Sequence, residues 1–231
     1  MKDAGAAMVS GWLAGRSWQP FKFQREVWQA IAEGRSGMLH ATTGSGKTYA
    51  VWLGMLAQLL ERHPPGRAAE PLRVVWLTPM RALASDTTKA LTEPLAALAP
   101  TWTIGQRTGD TPGSERARQD KRFPTVLVTT PESLTLMLTR DEARTELQGI
   151  EYVVVDEWHE LIGSKRGVQA QLALARLRRF NPKLVSWGLS ATLGNLEQAM
   201  QVLCGPQPKP EPRLVRGKID KALVIDTLIP P

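Results

Sequence analysis

A single cysteine, Cys204, stands in 231 residues. That excludes an internal disulfide and a metal centre built from clustered cysteines, and leaves Cys204 as a small core or surface residue. No apolar run approaches the roughly 18 residues that a membrane-spanning helix needs. The start, Met1 to Gly15, has one lysine and many small residues but no long apolar stretch, unlike a secretory leader. The expected location is therefore cytoplasmic. Repeats and low-complexity tracts are also lacking. With 42% hydrophobic and 22% charged residues, the composition is that of a folded globular protein. The length suits one large domain, or one domain and a stub of the next.

Basic residues outnumber acidic ones, giving a net charge of +7 and a pI near 9.9. Such a balance is common among proteins that meet phosphate polymers. Six basic residues and no acidic one lie between Lys165 and Lys183, which by charge alone reads as a solvated helix face.

Short apolar runs rich in β-branched residues recur at Gly37–Ala41, Arg73–Thr78, Thr125–Thr129, Tyr152–Asp156 and Leu184–Leu189. They show little alternation, as expected of strands buried on both faces of a parallel sheet. Helical spacing marks Phe23–Ala32, Tyr49–Leu60, Met80–Leu98 and Val168–Phe180. The alternation predicts an α/β fold, a mostly parallel sheet with helices on both faces. His63–Pro71 reads as a proline-rich surface loop and Gly205–Pro212 as a linker, which places one domain over 1–208 and a connecting segment over 209–231. Within that segment, strand-like patterns return at Leu214–Val215 and Leu223–Ile225. Polar or small residues follow each expected strand end, where ligands sit in open α/β sheets.

The strongest local signal is Ala41-Thr42-Thr43-Gly44-Ser45-Gly46-Lys47-Thr48, between a strand and a helix. This is the context of a phosphate-binding loop, although the strict pattern begins with glycine and position 41 is alanine. Gly44 and Gly46 let the backbone approach a polyphosphate, and the amides of Thr43 to Lys47 and the helix N-terminus donate to its oxygens. Lys47 opposes the outer phosphates, and Thr48 offers a hydroxyl to Mg²⁺. Asp156 and Glu157 follow the run Tyr152–Val155. A carboxylate there can hold Mg²⁺ through water, and the next can deprotonate an attacking water. The competing reading makes them caps of a helix at Glu157–Ile162. His159 reads as a surface residue or a sensor beside Glu157, and Trp158 as core or partner surface.

Taken in order, these residues resemble superfamily 2 helicases. Lys47-Thr48, Asp156-Glu157-Trp158-His159 and Ser190-Ala191-Thr192 resemble motifs I, II and III, and alanine at the position of Ala41 is common there. Gln24 resembles the adenine-reading glutamine, Thr78-Pro79-Met80-Arg81-Ala82-Leu83 motif Ia, Thr108-Gly109-Asp110-Thr111 motif Ib, and Thr130-Pro131-Glu132-Ser133-Leu134 the next nucleic-acid motif. Asp156 to Leu161 with Gly163-Ser164-Lys165-Arg166-Gly167, and Ser190 to Asn195, are similar to the Lhr (long helicase-related) group and within it to the bacterial ligase-associated DEXH-box helicases. The resemblance implies the first RecA-like lobe of an ATP-driven motor that uses Mg²⁺ and moves 3′-to-5′ on single-stranded DNA. Repair, alongside a DNA ligase and a nuclease, follows from the same resemblance. It implies that Pro79, Arg81, Thr108, Gly109, Asp110, Thr130, Pro131, Glu132 and Arg166 contact or shape the strand, and that His159, Ser190 and Thr192 couple nucleotide state to strand grip. From the residues alone, those serines and threonines read equally as helix caps.

A motor of this kind needs a second RecA-like lobe with arginine fingers, and no second phosphate loop is present. The expectation is a piece of a longer chain that binds nucleotide, turns it over weakly and does not unwind. Alternatives are an RNA or RNA–DNA hybrid motor, since backbone contacts discriminate only through the 2′-hydroxyl, a phosphate-loop kinase or small-molecule transferase, and a binding module with an inactive phosphate loop.

Overall fold

Val74–Leu77, Val126–Thr129 and Tyr152–Val155 are buried at every position. Side chains on both faces of such strands must be covered, so the sheet carries helices on each side. The computed structural model describes residues 4–68, 70–206 and 208–218. In chain order the elements begin α1 (Ala4–Ala14), α2 (Lys22–Ala32), β1 (Gly37–Ala41), α3 (Lys47–Arg62), β2 (Val74–Leu77) and α4 (Arg81–Leu98). They continue with β3 (Ile104–Arg107), α5 (Gly113–Lys121), β4 (Val126–Thr129), α6 (Pro131–Leu138), α7 (Ala143–Leu147) and β5 (Tyr152–Val155). The last are α8 (Trp158–Leu161), α9 (Lys165–Phe180), β6 (Val185–Ser190), α10 (Leu196–Cys204) and β7 (Arg213–Gly217). The strands form one seven-stranded sheet in the order β3-β4-β2-β5-β6-β1-β7, and all its pairings are parallel.

Alternate residues of each strand feed opposite cores, as the two-residue period of a strand requires. Leu39, Trp76, Val128, Val154 and Trp187 pack with α2, α3 and α4. Met38, Val75, Leu127, Val153 and Val155 pack with α6 to α10. Helix α1 lies outside α3, where Val9, Trp12 and Leu13 meet Leu53 and Ala57. Three fully buried tryptophans donate their ring N–H groups to carbonyls: Trp52 to Leu91 O at 3.1 Å, Trp187 to Arg35 O at 3.0 Å and Trp158 to Ala199 O at 3.0 Å. The fully buried Trp158 is a core residue.

The expected five strands and four helices are present, with ends shifted by a few residues at most. One further strand was not expected, and the strand-like pattern at Leu214–Val215 proves to be a strand of the same sheet. β3 is half-buried at all its positions and reads Ile-Gly-Gln-Arg, so it carries no apolar run. β7 lies in the segment assigned as connection, yet pairs residue by residue with β1 from Gly37↔Arg213 to Ala41↔Gly217. The sheet therefore runs past residue 208, because β1 would otherwise leave an unpaired edge. The pattern at Leu223–Ile225 lies outside the described residues.

Candidate functional site

β1 ends at Ala41, and the chain turns through Thr42–Gly46 into α3. Gly44 and Gly46 have φ of 73° and 83°, conformations that favour glycine. A Cβ on Gly46 would also come within 3.1 Å of the Gln24 side-chain nitrogen. Gln24 is buried; its Nε2 donates to Gly46 O at 3.3 Å and its Oε1 accepts from Phe21 N at 2.9 Å. The glutamine thus ties the start of α2 to the loop. Lys47 Nζ donates to the carbonyls of Ala41 at 2.9 Å and Thr42 at 3.3 Å. Burial lowers the Lys47 pKa, opposed by the nearby carboxylates of Glu157 and Asp156. The Ser45 hydroxyl is buried without a hydrogen-bond partner among the described residues. Backbone turned by glycines, a half-desolvated ammonium and an unsatisfied hydroxyl form a cradle that fits a polyphosphate.

β5 delivers the two carboxylates. Asp156 Oδ2 accepts from Trp76 Nε1 at 3.3 Å and Oδ1 from the Glu157 amide at 2.9 Å. Desolvation pushes its pKa up to about 6, against the lowering effect of the Trp76 hydrogen bond. A carboxyl so stripped of water, close to Lys47, fits a cation; Thr48 and Asp156 are the residues of this site suited to hold Mg²⁺. Glu157 has a left-handed backbone, φ 44° and ψ 48°, which turns the chain sharply off the strand. Its side chain makes no cap to α8, so the helix-cap reading fails for this residue. Glu157 Oε2 instead stands 3.4 Å from His159 Nδ1, and that nitrogen stands 3.5 Å from Ser190 Oγ at the end of β6. Ser190 is fully buried and caps no helix, whereas Thr192 is exposed in the loop before α10. Thr130, by contrast, does cap α6, accepting from Ser133 N.

A second group of residues lies beyond β2, β3 and β4. Arg81, exposed, pairs with exposed Asp110 at 2.6 Å across these loops. Gly109 lets the Arg81 guanidinium lie close over the turn, since a Cβ there would come within 2.6 Å of it and the exposed arginine would have to move aside. Arg116 Nη2 donates to Gly109 O at 2.6 Å and Thr108 O at 3.2 Å, holding that turn from α5. Arg166, at the start of α9, donates through Nε and Nη2 to Glu132 and through Nη1 to Pro79 O. Its guanidinium joins segments after β2 and β4 to α9. Sequence reasoning had Arg166 touching the strand; the tie it makes, the Trp76 bond to Asp156 and the role of Arg116 had no sequence signal, because each depends on a distant partner.

The sheet order sorts these groups. The phosphate loop, Asp156-Glu157 and Ser190 follow β1, β5 and β6, which are neighbours. Pro79-Arg81, Thr108–Asp110 and Thr130–Glu132 follow β2, β3 and β4, also neighbours. All lie beyond carboxyl ends of strands in one parallel sheet, the position of ligand sites in such folds.

The family description "DEAD/DEAH box helicase" matches residues 21–199. The chain belongs to this family. That match runs from the residue preceding α2 into α10, so it takes in both groups of residues described above. The helicase chain is 36% identical over 214 residues to "Lhr helicase/ probable uracil glycosylase" of Mycolicibacterium smegmatis, covering 88% of this chain and 14% of that protein. It is 35% identical over 208 residues to "ATP-dependent helicase Lhr-Core" of Methanothermobacter thermautotrophicus, covering 85% and 24%. Among solved structures, that of Mycobacterium smegmatis helicase Lhr bound to ssDNA and AMP-PNP superposes with a TM-score of 0.82 at 35% identity, over 93% of this chain and 28% of that one. The chain thus spans less than a third of the length of each of these relatives. The RecA-like, wholly parallel helicase core bears out the expected fold, and family membership brings nucleotide binding with it. No described helix is long and apolar enough to cross a membrane.

Proposed function

We propose that this chain is the ATP-holding first lobe of an Lhr-type DNA helicase or translocase, a cytoplasmic motor on single-stranded DNA with 3′-to-5′ polarity. The observation that carries the reading is the division of one sheet edge into a phosphate-and-carboxylate half and a backbone-tracking half, joined through the β2–β5 boundary. In this reading Lys47 leaves the Ala41 and Thr42 carbonyls for the outer phosphates, and the amides from Thr43 to Thr48 donate to the rest. Gln24 reads the adenine edge. Glu157 takes the proton of the attacking water, its backbone held in the left-handed turn at the end of β5. Thr48 and Asp156 would hold Mg²⁺, which would supply positive charge against the phosphates. His159 relays the state of Glu157 to Ser190, with Thr192 in the adjoining loop. Pro79, Arg81, Thr108, Gly109, Asp110, Thr130, Pro131, Glu132 and Arg166 shape the path of a sugar–phosphate backbone without reading bases.

A second RecA-like lobe is the first partner in this reading, since arginine fingers raise turnover by about 10³-fold or more in related chemistry. A DNA ligase and a nuclease are the proposed further partners, on the strength of the subgroup resemblance. Residues 209–231 would lead toward the second lobe, after the edge strand at Arg213–Gly217.

ATP turnover by the chain alone, without polynucleotide and with matched single-stranded DNA or RNA, tests this. Low turnover in all three, rising with DNA once the second lobe is attached, is the expected result. Equal stimulation by RNA moves the reading to an RNA or hybrid motor; none by either polynucleotide in the two-lobed chain sinks it. Lys47→Ala should weaken nucleotide binding about tenfold or more by removing a charge-assisted contact. Glu157→Gln in the two-lobed chain should bind ATP and fail to hydrolyse it. Equal affinity for ATP and GTP would remove the role given to Gln24.

A further inference from the structure

At the amino ends of β1, β5 and β6, opposite the site above, lies a cavity of about 640 Å³. Five-residue β1 separates it from the phosphate loop by about 15 Å. Its charge is lopsided. Glu151 is the one carboxylate in the lining, among the described residues, and it is already matched by Arg62 at 2.9 Å, His63 at 2.5 Å and Arg73 at 3.5 Å. Arg178, Lys183 and Lys209 line the same space, and none of them has a carboxylate within ion-pair distance among the described residues. The two lysines are exposed at the mouth, while Arg178 is half-buried in the wall.

Arg178 is the informative residue. Its Nη2 donates to Leu203 O at 2.6 Å and Ser186 Oγ at 3.2 Å, and Nε and Nη1 make no hydrogen bond among the described residues. A Cβ on Gly205, another lining residue, would lie 3.2 Å from Nη1, so Nη1 stands beside the Gly205 backbone in the cavity wall. Burial lowers its pKa, which marks the charge as poorly solvated. A desolvated cation without a counter-charge is costly, and an anion in the cavity would supply one. The volume is in the range of small-ligand sites. Pro182, Leu184, Pro206 and Pro208 add apolar wall beside the charged one.

We propose that this cavity is a second anion site, taking a phosphate-bearing ligand of nucleotide size through Arg178 in the wall and Lys183 and Lys209 at the mouth. Arg178 offers the Nη1 hydrogens left over by its Nη2 bonds to Leu203 and Ser186 as charge-assisted donors to a phosphate oxygen, and the lysines supply point charge. The site is independent of the motor reading, since none of its residues belongs to the phosphate loop or the strand path.

Calorimetric titration of pyrophosphate into the chain carrying Lys47→Ala separates the two sites. Binding should persist in that variant and weaken about tenfold or more on adding Arg178→Gln, as loss of a charge-assisted contact predicts. Lys183→Glu, at an exposed position, is the second variant and should weaken it too; if Arg178→Gln does not fold, as read by thermal melting, Lys183→Glu decides. Abolition of pyrophosphate binding by Lys47→Ala alone, or indifference to Lys183→Glu, overturns the proposal. Citrate binding as tightly as pyrophosphate overturns the assignment to phosphate. Loss of ADP binding in Lys47→Ala bears only on the motor site.

Discussion

Arg166 and Glu132 face each other as two planar groups, with Nε and Nη2 of the guanidinium on the two carboxylate oxygens. The third prong of the same guanidinium reaches the Pro79 carbonyl. One side chain at the start of α9, five residues after the end of α8, therefore fastens the loops that follow β2 and β4. The burial of Glu132 raises its pKa and the Arg166 contact lowers it, with the net effect downward, so the pair stays ionised.

If those loops form the strand path, Arg166→Ala should weaken single-stranded DNA binding about tenfold, through loss of the loops' placement. Nucleotide affinity should be unchanged. Arg166→Lys should not rescue it, because an ammonium cannot make parallel bonds to a carboxylate and also reach a carbonyl. Fluorescence anisotropy with labelled DNA, beside a nucleotide titration, reads both; a full rescue by lysine would refute the tie.

Gly167 bears on the same residue. A Cβ there would lie 2.0 Å from the Leu161 carbonyl oxygen and 2.7 Å from its carbon, both rigid backbone atoms. Gly167→Ala should cost about 2 kcal/mol by overpacking, lowering Tm by about 6 °C. It should also displace Arg166, so DNA binding should fall with stability. A thermal melt unchanged from the parent would show that α8 and α9 separate freely.

Glu157 holds a left-handed backbone at φ 44°. For a residue with a side chain this costs about 1 kcal/mol, which glycine does not incur. Glu157→Gly should raise Tm by about 3 °C while abolishing hydrolysis in the two-lobed chain. A lower Tm would mean that the contact with His159 outweighs the backbone strain.

Cys204 lies buried at the end of α10, and desolvation pushes its thiol pKa up to about 12, against the lowering influence of Arg178. A raised thiol pKa keeps the group protonated and unreactive until pH approaches that value. Alkylation at pH 8 should therefore be slow in the folded chain and fast in denaturant, followed by mass spectrometry. Rapid labelling of the native protein would show α10 opening.

Much of the fold was legible because its central strands are apolar throughout and its main helices carry strong spacing. The phosphate loop and Asp156-Glu157 were legible because their chemistry is local: glycines, a lysine and adjacent acids act within a few residues. β3 was not, since an edge strand against one neighbour needs no apolar run, and Ile-Gly-Gln-Arg carries none. α1 was missed because its glycines disguise a packing face that Val9, Trp12 and Leu13 make only against α3. Ser190 and Thr130 looked alike as small hydroxyl residues after strands. Only the structure told them apart, setting Ser190 against His159 and Thr130 on the Ser133 amide as the cap of α6.

What the sequence determined by itself is the set of central, apolar strands, the phosphate-loop pattern and the order of the family's motifs, because each depends on residues close together in the chain. What the tertiary structure decided is their grouping. Along the chain the two groups of residues interleave, one after β1, the other after β2, β3 and β4, then the first again after β5 and β6. The parallel order β3-β4-β2-β5-β6-β1-β7 sorts them into two halves of one edge. Strand order follows from which buried faces pair and which helices cover them, a contest among distant segments that no short stretch of sequence records.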